Sequence, residues 1–396
     1  MQTAANSDRL PQIDALRGIA VIMVVWFHAI LLVTPEAVQG PWSLTMNPVD
    51  PGRAGVSLFF IVSGFVIPAS LSGPRKQGAY KFLVRRFFRL YPAYWLSIPV
   101  GILSMWVLGG GVPAPSTIVA NISMIEHVLG YEYILGVYWT LETELLFYAI
   151  CLLFFLLRII DRPIAFIWLM LVGAALQWGW NRTVDLALAA EQLPVDAWTP
   201  AMRIAKDLVG RDAVAASIAL NSWLPAHISI MAFGALLRFW YDGKLHGRIH
   251  QAIVVLTAAF WILIVWRESA WNWYRGLWTW HWARLLLSYS LAFSLFIIFI
   301  GMAQFRWRPL IYVGTISYSL YLFHWPLIVC TKIFMDWMRL PPEFPTAELT
   351  TALGIAVSFG FSALVYAMLE RPAINLGRRL TKSSLRVEKV ANPAAI

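Results

Sequence analysis

The chain has 396 residues, 59% of them hydrophobic and only 13% charged, with a formal net charge of +10. So little polar surface excludes an ordinary soluble domain and leaves a polytopic membrane protein. The basic residues fall between apolar runs and form no single stripe interleaved with stacking aromatics, which argues against a nucleic-acid partner.

Runs of about 20 apolar residues predict an all-α fold of ten transmembrane helices, near 13–34, 53–71, 92–108, 138–157, 163–180, 222–240, 251–267, 281–303, 310–331 and 348–369. No small-residue cleavage pattern follows the first run, so it is expected to remain as a helix. Ten spans put both termini on one side, and 21 of the 31 Lys and Arg lie on that side, so the positive-inside rule makes it cytoplasmic. The expected organisation is a membrane domain over 1–372 and a basic cytoplasmic tail over 373–396.

The first span contains "RGIAVIMVVWFH", with Arg17 at one end and His28 at the other. Their eleven-residue separation is about 1100°, three turns and roughly 20°, so both lie on one helix face, which Asp14, Val21 and Val24 share. The rise between them is about 16 Å, so if Arg17 touches the inner leaflet, His28 lies well inside the bilayer. Next comes the basic stretch "RKQGAYKFLVRRFFRLYPAYW", read as a cytoplasmic loop carrying Arg85, Arg86 and Arg89. It serves either as topology signal and lipid contact or as a site for a phosphorylated donor, which Arg binds in bidentate fashion.

In the fourth span, "YWTLETELLFY", Glu142 and Glu144 point about 200° apart, so only one can face a given site. Tyr148 follows Glu144 by one turn on the same face, while Glu142 is free to reach the interface. The outer loops near 109–137 and 181–221 are long, and the stretch "WNWYRGLWTWHW" at 271–282 reads as interfacial anchors or a sugar-stacking surface. His246 and His250 form an HxxxH pair without the Glu of HExxH, and Cys151 and Cys330 sit inside apolar runs, so no metal site is implied. The ninth span, "SYSLYLFHWPL", carries Ser317, Tyr321 and His324 along one face. Ionisable groups inside a membrane mark functional sites by default, although each alone also reads as an interhelical hydrogen bond. A neutral imidazole beside a carboxylate is how a base is oriented, which nominates His28 with Glu144.

"IDALRGIAVIMVVWFHA", "GRAGVSLFFIVSGF", "RRFFRLYPAYW", "YWTLETELLFY", "SYSLYLFHWPL" and "ERP" at 370–372 together resemble the acyltransferase-3 family of bacterial membrane O-acyltransferases. The family usually has an acidic residue where this chain has Ser57, and a small uncharged one at Glu142. The resemblance implies transfer of an acyl group, usually acetyl, from cytoplasmic acyl-CoA to a hydroxyl of an extracytoplasmic or lipid-linked glycan, in the bacterial inner membrane and without a metal. On that reading Arg17, Arg85, Arg86 and Arg89 hold the donor's phosphates. His28 is the general base and Glu144 orients it, with an acyl-histidine intermediate left open. Asp14, Tyr148, Ser317, Tyr321 and His324 position substrate. A proton-coupled transporter or flippase using His28 and Glu144 as a relay is the competing reading.

Overall fold

The structure is a computed structural model, which describes residues 10–33, 49–191, 193–209, 224–245, 247, 281–302, 305, 307–339 and 345–391. Among these residues every regular element is helical. Among the described residues six helices are long and apolar enough to cross a bilayer, and a seventh span results if two segments bent by 72° are taken as one. The expected spans at 222–240 and 281–303 contain the helices Leu224–Tyr241 and His281–Gly301. The one at 251–267, the aromatic stretch up to residue 280 and the HxxxH pair lie outside the described residues.

Helix α1 (Pro11–Val33) and helix α2 (Pro51–Val66) form the centre. Asp50 starts α2: its carboxylate accepts from the Arg53 backbone N–H at 2.9 Å, and Pro51 takes the first helical position, where its missing N–H is harmless. Helix α3 (Arg75–Val107) follows, then the short α4 (Pro115–Ile122) and α5 (Tyr138–Leu156). Next come α6 (Pro163–Glu191), α7 (Pro200–Val209), α8 (Leu224–Tyr241) and α9 (His281–Gly301). The chain ends in α10 (Arg308–Thr315), α11 (Ser317–Trp337), α12 (Thr346–Val365) and α13 (Arg371–Ala391).

The neighbours of α1 are α2, α9, α10, α11 and α12, whereas α5 packs on α2, α3 and α8. With no apolar driving force between helices in lipid, such contacts depend on small residues that let backbones approach. Gly314 of α10 lies against the Asp14 backbone of α1, and Gly64 of α2 against Met231 of α8; a Cβ at either would overlap the facing helix.

Two elements differ from the sequence expectation. The basic stretch is not a loop: α3 runs unbroken for 33 residues, about 50 Å. Gly78, Phe82 and Leu90 are buried along one side of the helix, and Arg85, Arg86 and Arg89 share that side at helical spacing. The ninth span is broken at Ile316 into α10 and α11. The polar end after residue 372 is helical: α13 starts at Arg371 and docks on α3 through the buried Gly377 and Thr381.

Candidate active site

On α1, Val21 and Val24 are buried while Arg17 and His28 are partly exposed. The two polar groups meet different surroundings. Arg17 lines a cavity of about 50 Å³ together with Ser63, Thr140, Glu144, Ser317, Tyr318 and Tyr321, closed on its apolar side by Val56, Phe59 and Phe60. Because a buried water needs about 10–15 Å³ of such space, this cavity admits a few waters or a small acyl group and no nucleotide. The Arg17 Nε and the Ser317 Oγ are both buried without a hydrogen-bond partner.

Glu144 faces this cavity and accepts a 2.6 Å hydrogen bond from Ser63 Oγ on α2. Tyr148, one turn further along α5, lies under Arg86, whose guanidinium carbon is 5.1 Å from the ring centroid and 5.4 Å from that of Phe82. Arg86 Nη2 also donates to Ser70 Oγ at 3.2 Å. Arg89 acts electrostatically on both Arg17 and Tyr148, so it belongs to the same cluster. Arg85 Nε donates to Thr381 Oγ1 on α13 at 3.1 Å. Asp14 borders Arg17 one turn earlier on α1 and contributes its backbone to the crossing with α10.

His28 does not pair with Glu144. Its Nδ1 is 2.8 Å from the Nε2 of His324, a fully buried ring on α11 that lies nearly parallel to it at 5.0 Å between centroids. The reason is helix adjacency: α11 packs on α1, while α5 is held away by α2. His324 is thus a partner of the nominated base. Tyr321 links the two regions, with its ring 5.9 Å from His324 and its hydroxyl accepting from Thr140 Oγ1 at 2.8 Å at the cavity wall.

Glu142 points elsewhere, as the opposed helical phase requires. Its carboxylate accepts from the backbone N–H of Val128 at 3.1 Å and of His127 at 3.4 Å, and from the Tyr133 hydroxyl at 2.9 Å. It therefore holds the 123–137 connection. Beside it Glu126, wholly buried, meets the Tyr94 hydroxyl at 3.4 Å, and burial, reinforced by the charge of Glu142, raises its carboxyl from 4.5 to about 7.

Sequence reasoning missed several groups. Ser63, Thr140 and Ser319 are hydroxyls in apolar runs, a pattern too common to single out. Ser319 Oγ donates to Glu370 at 2.6 Å, with both groups buried. Glu370 ends a π turn (Tyr366–Glu370), the kind of local irregularity that often marks functional sites; the ERP triplet was its only signal. His227 on α8 lies between the rings of Phe60 and Trp139, 4.9 Å from each, with Nδ1 buried and unpartnered. Among the described residues no group of three or more His, Cys, Asp or Glu is arranged to hold a metal ion.

Residues 10–368 match the family described as the acyltransferase domain. Nodulation protein 10 of Rhizobium leguminosarum bv. viciae is 30% identical over 165 residues, which cover 34% of this chain and 41% of that protein. The exopolysaccharide production protein ExoZ of Rhizobium meliloti (strain 1021) is 32% identical over 114 residues, 25% of this chain and 33% of that protein. The chain thus spans less than half the length of these curated relatives. No solved structure matches it.

Proposed function

Since the chain belongs to the acyltransferase-domain family along nearly its whole length, we propose that this multi-pass membrane protein transfers an acyl group, acetyl by default, from acyl-CoA to a glycan hydroxyl. The observation that carries the reading is the small cavity between Arg17 and Tyr321, with an arginine cluster at one end and the His28–His324 pair beyond the other. A relative named for exopolysaccharide production supports a glycan acceptor. Both termini are cytoplasmic in this proposal, and the membrane is the bacterial inner membrane.

In the proposed reaction the CoA phosphates stay outside the cavity, against Arg86 and Arg89, because the cavity is too small for them. The thioester arm passes along α1 from Arg17 towards His28, a rise of about 16 Å. His28 removes the acceptor's hydroxyl proton as the oxygen attacks the thioester carbonyl. The new C–O bond forms, the C–S bond breaks, and the thiolate leaves with the proton that His28 returns. A general base of this kind contributes about 10² to 10⁴ in rate. Glu144, tied to Ser63 and facing Arg17, serves as the counter-charge that orients the guanidinium, a different task from orienting the base.

The test is release of CoA from labelled acetyl-CoA by the purified protein, together with glycan analysis of a deletion strain beside its parent. Loss of one ester in the deletion strain, restored by the wild-type gene and not by His28→Ala at matched expression, is the expected result. An unaltered glycan and no CoA release would remove the reading.

A further inference from the structure

The contact between the two histidines determines which nitrogen of each ring carries hydrogen. His324 Nδ1 lies 2.8 Å from the backbone carbonyl oxygen of Tyr321 and 3.1 Å from that of Leu320. A carbonyl only accepts, so Nδ1 must bear the hydrogen, and in the neutral ring Nε2 is then left with its lone pair. That lone pair faces His28 Nδ1 at 2.8 Å. His28 must therefore carry its hydrogen on Nδ1, which leaves its basic lone pair on Nε2. Both carbonyls belong to α11 itself, three and four residues back from His324, so the orientation is set locally before any substrate arrives.

We propose that His324 is a positioning residue that locks His28 in the tautomer with a basic Nε2 and supports the imidazolium formed when that nitrogen takes the acceptor's proton. The inference rests on His28 as the base of the proposed reaction. His324 then occupies the place of the aspartate in a Ser-His-Asp triad, where the wrong tautomer costs about 10⁴ in kcat. A neutral histidine does this with no permanent charge inside the membrane, where a carboxylate is costly to insert. The Phe27 and Trp325 rings, each edge-on to His28 with centroids 5.3 Å away, hold the ring from its other sides.

The experiment compares wild type, His28→Ala, His324→Leu and His324→Gln in the full-length protein, read by acetyl transfer and by nitrogen NMR of histidine labelled with ¹⁵N. Glutamine places an amide oxygen near the former Nε2 and can still accept from His28 Nδ1–H. The expected result is a kcat loss of about 10²-fold or more for His324→Leu with the KM for acetyl-CoA unchanged, recovery to within about tenfold in His324→Gln, and a pyridine-type His28 Nε2 signal that His324→Leu redistributes. Equal kcat for His324→Leu and wild type, equal losses in the Leu and Gln variants, or a His28 lone pair found on Nδ1 would overturn the proposal. An inactive His28→Ala beside a fully active His324→Leu rejects this inference alone, whereas an active His28→Ala rejects the base assignment beneath it.

Discussion

Glu126 gives the sharpest quantitative prediction. It is wholly buried beside Tyr94 and within the field of Glu142, and its carboxyl rises from 4.5 to about 7 chiefly through burial. Below pH 4.5 the folded and unfolded chains both hold the proton and the group has no differential effect. Between 4.5 and 7 the unfolded chain releases the proton first, so stability falls as pH rises; above 7 both forms are ionised and the loss is complete. At about 1.4 kcal/mol per pH unit, the penalty is about 3 kcal/mol at pH 8. It acts on the 123–137 connection, which Glu126 and Glu142 tie together. Glu126→Gln keeps the contact with Tyr94 and removes the ionisation. The melting temperature of this variant in detergent should exceed that of wild type by a few degrees at pH 8 and converge with it at pH 5, with proteolysis of the 123–137 segment following the same trend. Parallel melting curves for the two proteins from pH 5 to pH 9 would show that the buried carboxyl does not titrate as its surroundings demand.

Three further outcomes follow from named contacts. Arg86→Ala removes a guanidinium assigned to the donor's phosphates, so the KM for acetyl-CoA should rise about tenfold or more, the scale of a charge-assisted hydrogen bond; an unchanged KM would reassign Arg86 to packing on Phe82 and Tyr148. Glu142→Ala leaves two backbone N–H groups and the Tyr133 hydroxyl without their acceptor, which should destabilise the protein by about 2 kcal/mol with little effect on the kcat of the folded fraction, as thermal unfolding and specific activity will show. Ser319→Ala leaves the buried Glu370 carboxylate without its short donor, so it should be less stable than Glu370→Gln, which removes the charge as well; the reverse order of melting temperatures would contradict this account.

The face shared by Arg17, Val21, Val24 and His28 was legible because it depends on one helix and one period. The opposed directions of Glu142 and Glu144 were legible for the same reason. What lies across from a helix face was not, because periodicity orients a side chain without choosing its neighbour. His28 and Glu144 looked complementary in chemistry, yet α11 borders α1 and α5 does not pack closely on it, so the base met an imidazole. The arginines of α3 read as loop because basic residues interrupt the apolar run, although Phe82 and Leu90 already carried the helical spacing. The break at Ile316 was not legible: no proline or glycine stands at that residue, although Gly314, where α10 meets the α1 backbone, lies two residues before it.

That break bears directly on the site. An unbroken ninth span would bond the backbone N–H groups at Ser317 and beyond to the preceding turn. The 72° bend starts a new helix at the cavity wall, where its first N–H groups and their partial positive charge add to the Arg17 guanidinium. Arg17 Nε and Ser317 Oγ are buried there without partners, in a protein interior where such groups are ordinarily satisfied. Glu144, the anionic group of the cavity lining, is already bonded to Ser63. A carbonyl oxygen brought by a guest would accept from both Arg17 Nε and Ser317 Oγ. The thioester carbonyl of the proposed donor would supply such an acceptor, which is what this broken span would contribute to the proposed acyl transfer.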